Sequence, residues 1–370
     1  MTEVAFLDLA LQVRLLRQEL DAAIGRVLDS GQFVLGREVA AFEQELAASF
    51  GARDAVAVAN GTEAIQLALE ALGVGAGDEV ITSPLSAAFT ALAVRRAGAR
   101  PVFADVDPRT LNLDPDAAER AVTPRTRALL PVHLYGHPAD MQPLQELASR
   151  HRLALVEDAC QAHGALYRGR PVGALSGLGT LSFYPTKNLA ALGDGGAVLV
   201  DDGELALRLR RLRNGGQSDR YRHEVLGLNS RLDELQAAVL RAKLRHLPAW
   251  TQRRRELAAL YLAELRGTGV VLPEEQAYAR AVYHLFVIRH PRRDALMAAL
   301  AEPGIGTLVH YPIPLHLQPV FADLGGRPGD LPVAEAAARE VLSLPLYPEL
   351  ADAQVLQVAR AVRELAPRLT

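Results

Sequence analysis

Cysteine is nearly absent from this chain of 370 residues, Cys160 being the only one. A lone thiol can close no intramolecular disulfide and build no cysteine-cluster zinc site, which agrees with a reducing compartment; no metal centre is expected. Long apolar runs are missing too. No uncharged stretch reaches the ~18 residues that a membrane helix requires. The opening residues, Met1-Thr2-Glu3-Val4-Ala5-Phe6-Leu7-Asp8, lack a basic region followed by an apolar core, so a cytoplasmic protein with no membrane partner is expected. Excess charge of one sign is a third absence. A formal net charge of −3 and a pI near 6.4 give no global reason to attract nucleic acid or an anionic surface. The clusters Arg208, Arg210, Arg211, Arg213 and Arg253–Arg255 lack an aromatic platform, so they read as solvated helix faces or subunit contacts and not as a nucleic-acid site.

Apolar residues are plentiful, at 49% with 22% charged, and 39.9 kDa exceeds what one typical core fills, so one large domain with a smaller partner is expected. From residue 54, short β-rich runs alternate with helix-period segments: Ala55–Ala59 then Glu63–Leu72, Glu79–Thr82 then Ala87–Ala97, Pro101–Val106, Ala128–His133 then Met141–His151, and Leu153–Glu157. That rhythm predicts βαβ units and a mostly parallel sheet covered on both faces. Thr180–Tyr184 and Gly196–Val200 are too close for a helical crossover, so one of them is expected to run antiparallel. The large α/β domain is placed at 1–245. A smaller C-terminal α/β domain is placed at 246–370, with a helix over Leu247–Arg266, strands at Val282–Ile288, Gly306–His310 and Leu342–Tyr347, and a closing helix near Asp352–Leu365. An N-terminal helix around Leu11–Leu28 is expected to pack on it.

Lys187 stands in Ser182-Phe183-Tyr184-Pro185-Thr186-Lys187-Asn188-Leu189, which runs into Gly193-Asp194-Gly195-Gly196 between two apolar strands. An ordinary lysine has a pKa of about 10.4, so a catalytic amine must sit where its neutral form is favoured or be consumed as an imine. Asp158, in Glu157-Asp158-Ala159-Cys160-Gln161-Ala162-His163-Gly164, ends a strand at the sheet's carboxyl edge, where open α/β folds bind ligands; alone it reads equally as a helix cap. An amine for an imine and an acid for a pyridine nitrogen are what pyridoxal phosphate (PLP) demands. Asn60-Gly61-Thr62-Glu63 lies where a strand meets a helix, a setting that favours a phosphate, although Thr62 as a plain N-cap reads as well. Ser182 can add a hydroxyl donor. The glycines Gly173, Gly177 and Gly179 suggest a dinucleotide loop only weakly, because they precede a strand instead of opening a helix.

These segments, with Asn229-Ser230-Arg231-Leu232-Asp233-Glu234-Leu235-Gln236-Ala237-Ala238 and His310-Tyr311-Pro312, resemble the DegT/DnrJ/EryC1/StrS family of PLP-dependent nucleotide-sugar aminotransferases along nearly the whole chain, in order. The resemblance implies the aspartate-aminotransferase-like fold type I, PLP as cofactor, and a homodimer with shared active sites. It implies that Lys187 binds the cofactor covalently and moves the proton, Asp158 pairs with the pyridine nitrogen, and Gln161 lies by the ring hydroxyl. Gly61, Thr62, Glu63 through its backbone, and Ser182 would hold the phosphate, which Asn229 would reach from the neighbouring subunit; in isolation Asn229 reads as a turn residue. Tyr184, His310, Tyr311 and His316 are expected near the substrate, a buried structural role being the alternative. The implied reaction moves an amino group from an amino acid, glutamate in most of the family, to a nucleotide-diphosphate ketosugar. The form Ser-Phe-Tyr-Pro-x-Lys-Asn-Leu followed by Gly-Asp-Gly-Gly favours C3 over C4 of the sugar. The dehydratase branch of the same fold carries histidine in place of Lys187; a regulator without turnover is the other alternative. One departure stands out: Ala87 occupies the place of the family's stacking aromatic, and Phe89, two residues on, points elsewhere on a helix, which implies a roomier sugar pocket.

Overall fold

The computed structural model describes residues 3–369. Its central sheet runs, from one edge, Arg100–Phe103, Glu79–Thr82, Thr126–Leu130, the run Ala154–Asp158, Leu178–Ser182, Gly196–Val200 and Asp54–Val58. Ala154–Leu155 pairs with Ala128–Leu129 on one side and Glu157–Asp158 pairs with Gly179–Thr180 on the other, so this run knits two sets of strands into one sheet. All neighbouring pairs are parallel except those of Gly196–Val200, which is antiparallel to both partners.

Both faces of the sheet are covered, which is why its strands show no polar alternation. Along Asp54–Val58, Ala55 and Ala57 face a core containing Phe42, Leu46, Leu144 and Phe183. Val56 and Val58 face the opposite core, with Ile65, Leu69, Val94 and Leu209. The helix Arg37–Phe50 packs the first face and lies outside the alternation read from the sequence, which begins at residue 54. Its N-terminus is held by a distant acid: Glu234, 1% exposed, accepts from Gly36, Glu38 and Val39 N–H at 2.8–2.9 Å.

A second core gathers Leu257, Tyr261, Phe286, Ile288, Leu296, Leu342, Leu344, Val355, Val358 and Val362 around the antiparallel strands Phe286–Arg289 and Val341–Leu344. Two strand expectations need correction here. Val282–Leu285 is not strand, because its hydrogen bonds go to Tyr135 and Gly136. Gly306–His310 contributes only a bridge between Leu308 and Ser343. The N-terminal helix is broken at Leu16 into Leu9–Leu15 and Arg17–Ser30; the latter packs on Glu234–Leu244, while Gln12 donates to Glu349 at 3.0 Å, Glu19 lies 3.0 Å from His246, and Leu16 and Leu20 share a cluster with Trp250.

The arginine clusters also depart from the solvated-face reading. Arg210 pairs with Asp54, buried Arg213 reaches Glu43 and Ala57 O, and buried Arg254 donates to the carbonyls of Tyr283, His284 and Leu346. No described helix is long and apolar enough to cross a membrane.

Candidate active site

At the carboxyl edge of the sheet the helix Gly61–Ala71 follows directly on the strand Asp54–Val58. Asn60, not Thr62, is its N-cap, and Asn60 Oδ1 accepts from Glu63 N–H at 2.9 Å. That cap engages the Glu63 backbone, beside the Gly61 and Thr62 amides at the helix start. Gly61 is required by contact: a Cβ there would stand 2.6 Å from Ser182 Cβ and 3.1 Å from Cys160 Sγ. Gly196 answers the same need, its Cβ position lying 2.4 Å from the Asn60 carbonyl carbon. The helix start is thereby pressed against Ser182, whose Oγ accepts from Tyr184 N–H at 3.4 Å and keeps its own proton to donate.

Asp158 is 3% exposed. Its Oδ2 accepts from Thr90 Oγ1 at 2.8 Å and its Oδ1 from Cys160 N–H at 3.2 Å; Ser86 Oγ lies 3.0 Å from Thr90 Oγ1. Among the described residues it has no ion-pair partner, although a buried carboxylate normally demands one. Lys187 is half-buried in the loop between the strands Leu178–Ser182 and Gly196–Val200. Burial pushes its amine below the ordinary lysine range, against the upward pull of Cys160 and Asp158. His163 is fully buried, and burial, then the charge of Lys187, brings it down to about 3 against the upward pull of the Ser182 backbone.

Gln161, 3% exposed, accepts on Oε1 from Tyr135 N–H at 2.9 Å and donates from Nε2 to Tyr311 Oη at 3.1 Å. Burial and then Asp158 hold the Tyr311 phenol well above its ordinary pKa, so it stays protonated. Tyr135 Oη donates to His310 O, and His310 Nδ1 lies 2.9 Å from Ser343 Oγ; burial and Lys187 lower His310 to about 4. These contacts bring Gln161, His310 and Tyr311 into one network. His316 stands apart from it: 4% exposed, its ring is enclosed 3.1 Å from Glu335 Oε1. Tyr184 is 52% exposed and Asn229 is exposed, bridged by backbone to Asn214. Phe89 is 63% exposed on the outer side of its helix, while its neighbour Thr90 turns inward to Asp158. Thr90, Ser86 and Tyr135 are absent from the sequence reading; the only signal for the first two is a pair of hydroxyls four apart after a strand.

The glycines 173, 177 and 179 serve packing. A Cβ on Gly179 would stand 2.2 Å from Gly173 O, and Gly173 N–H donates to Glu157 at 2.7 Å. Glu157 is fully buried beneath the site, also accepting from Ser176 N–H at 2.8 Å and lying 3.1 Å from His133 Nε2. Desolvation pushes its pKa up, but the bonds from His133, Gly173 and Ser176 outweigh that and leave it below the ordinary value. A depressed folded pKa means that its stabilisation is complete above the unfolded value of about 4.3 and is lost as pH falls through the folded value. Glu157→Gln is expected to cost about 3 kcal/mol at pH 7 and progressively less toward pH 3, read by urea unfolding at both pH values.

A half-buried amine, a buried carboxylate with no cation among the described residues, and helix-start amides beside a serine hydroxyl fit a group with an aldehyde, a ring nitrogen and a phosphate. Fold and constellation together define a PLP-dependent enzyme of fold type I. Residues 15–363 match the DegT/DnrJ/EryC1/StrS aminotransferase family, and the chain belongs to it. It is therefore a transaminase that uses PLP. Among its relatives is the dTDP-3-amino-3,4,6-trideoxy-alpha-D-glucose transaminase of Streptomyces venezuelae, 54% identical over 99% of this chain and 97% of that one. Another is a pleiotropic regulatory protein of Geobacillus stearothermophilus, 49% identical over 98% of each. The crystal structure of S. venezuelae DesV in complex with a ketimine intermediate matches with a TM-score of 0.98, at 53% identity over 100% of both chains.

Proposed function

We propose that this chain transfers an amino group from L-glutamate to C3 of a nucleotide-linked 3-keto-6-deoxyhexose or a related sugar. The observation that carries the reading is the buried Asp158, without an ion-pair partner among the described residues, set at the sheet edge with Lys187 in a chain 54% identical to a transaminase named for a 3-amino sugar. When bound, PLP supplies the aldehyde that carries the amino group and the ring that draws electrons from the reacting carbon. Asp158, oriented by Thr90, would keep the ring nitrogen protonated. Lys187, its neutral and nucleophilic amine favoured by burial, would bind the aldehyde and then move the proton. Gln161 would meet the ring hydroxyl, and the Gly61 and Thr62 amides with Ser182 Oγ would take the phosphate. Tyr184, His310 and Tyr311 would border the sugar, and Ala87 would leave that pocket wide.

Asn229 would reach the phosphate of a second copy. A partner is supported by the exposed apolar residues Phe33, Val34 and Leu192, the first two tied by backbone contacts to the start of the helix Glu234–Leu244 and the third by its N–H to Gln236 Oε1, and by Leu226 at 95% exposure. We place the large cofactor-binding domain at 1–245, the smaller domain at 246–370, and the protein in the cytoplasm.

The test begins with colour. Protein supplied with PLP should absorb visible light, lose that band when L-glutamate is added, and carry the label on Lys187 after borohydride reduction and peptide mapping. Incubation with 3-keto and 4-keto nucleotide hexoses, with products read by mass and NMR, should give amination at C3. Product at C4 would move the assignment to that position. Protein that takes up PLP yet leaves every ketosugar unchanged would favour the regulatory role for which the Geobacillus relative is named.

A further inference from the structure

Lys187 and Gln161 are carried by different parts of the chain, yet one irregular segment, Val282–Leu285, is bonded to the supports of both. Val282 N–H donates to Gly136 O at 2.9 Å and Leu285 N–H to Tyr135 O at 3.3 Å. Tyr135 N–H in turn donates to Gln161 Oε1 at 2.9 Å. From the other side comes Asn188, the residue after Lys187 and 5% exposed. Its Nδ2 donates to Val282 O at 3.3 Å and its Oδ1 lies 3.2 Å from His284 Nδ1.

These contacts settle the protons. A carbonyl only accepts, so the Asn188 amino group faces Val282, its oxygen faces His284, and His284 must carry its hydrogen on Nδ1. Burial, then the charges of Lys187 and Arg254, holds His284 well below the ordinary histidine pKa, which leaves the ring neutral. Arg254, 4% exposed, fixes the segment from behind, with Nη1 at 3.2 Å from Tyr283 O, 3.4 Å from His284 O and 2.9 Å from Leu346 O. In front, Gly136 at φ +90° has its Cβ position 2.8 Å from His284 N, so even a methyl group would displace the segment.

We infer that Asn188 and His284 are positioning residues that clamp the backbone bearing Lys187 to Val282–Leu285 and, through Tyr135, to Gln161, so that amine and amide keep one spacing across the cofactor. The inference rests on the roles proposed above for Lys187 and Gln161. Neither residue of the clamp need touch a reacting atom. Misplacing the amine by about 1 Å costs roughly a hundredfold in rate, so loss of the clamp falls on kcat and leaves KM nearly alone. The charged and titratable groups around the amine are Asp158, Cys160, His163, His284 and His310, and the clamp variants change none of them except His284, which is already uncharged.

Asn188→Ala, His284→Leu, His284→Gln and the double variant Asn188→Ala/His284→Leu test this. Two readouts are taken: kcat and KM for glutamate in the PLP-loaded enzyme, and, in the apoprotein, the pH midpoint of Lys187 acetylation followed by peptide mass spectrometry. Asn188→Ala and His284→Leu should each lower kcat roughly tenfold to a hundredfold with KM within about twofold. Their Lys187 midpoint should rise toward that of free lysine as water reaches the loosened loop. The double variant should lose no more than the worse single one. His284→Gln, whose amide can donate to Asn188 Oδ1, should restore both the midpoint and most of kcat. Unchanged kcat and midpoint in the truncations overturn the inference, as do losses that multiply in the double variant. If the truncations fail to fold, His284→Gln decides alone: a midpoint different from wild type overturns the clamp. A wrong role for Lys187 shows separately, as borohydride label elsewhere in the wild type, because the apoprotein midpoint needs no cofactor.

Discussion

Lys187→Ala protein is expected to fold, to bind PLP without a covalent bond, and to transaminate at least about 10⁴-fold more slowly than wild type. Two functions go at once: capture of the aldehyde and movement of the proton at the reacting carbon, of which proton transfer alone is worth about 10² to 10⁴. The fold should survive, because Lys187 has no ion-pair partner among the described residues and its loop is held by backbone bonds from Lys187 to Tyr184 and from Ala191 to Phe183, both 2.8 Å. Stopped-flow assay with glutamate, beside a melting curve, separates the two outcomes; residual turnover near wild type would remove Lys187 from the chemistry. The same variant reports on subunit sharing. Mixed with Asn229→Ala chains it should regain part of the activity, since one of the two sites in a hybrid dimer would then carry both intact residues. No regain would mean that each chain works alone.

Asp158→Asn is expected to lower kcat by about 10³-fold, some 4 kcal/mol, while leaving the fold intact. The amide oxygen can still accept from Thr90, so the side chain keeps its direction while losing its charge and the bond from Cys160 N–H. A neutral partner no longer favours a protonated ring nitrogen, and the cofactor then draws electrons less strongly. Sign can be checked without turnover: Asp158 pulls the Lys187 pKa upward, so in the apoprotein of this variant the Lys187 midpoint should fall, the reverse of the clamp variants. A rise would mean that the carboxylate does not act on the amine.

Much of this was legible in the sequence because it is local. The strands Glu79–Thr82 and Gly196–Val200 and the helices Met141–His151 and Asp352–Leu365 lie where the periodicity put them. Gly61, Asp158, Ser182 and Lys187 were marked by their places at strand ends and by the glycines that surround them. What escaped depends on pairing between distant residues. The His284 ring meets Asn188 across 96 positions, and Glu234 holds the start of the helix Arg37–Phe50 from 195 to 198 positions away. Thr90 looks like one hydroxyl on an ordinary helix until the fold brings it to Asp158, 68 positions on. His316 meets Glu335, 19 positions later, a contact that its own neighbourhood in sequence does not reveal.

The reversed direction of Gly196–Val200 makes the amine's loop a hairpin end and not a helical crossover. Ser182 is in register with Gly196, so both ankles of that loop are bolted to the same rung of the sheet. A crossover can absorb a change of length by sliding a helix; this turn has no such slack. Removing one residue between Phe183 and Gly195 shifts the chain by about 3.3 Å, several times the roughly 0.5 Å within which a catalytic group must be kept. Length there is as constrained as the identity of the lysine itself.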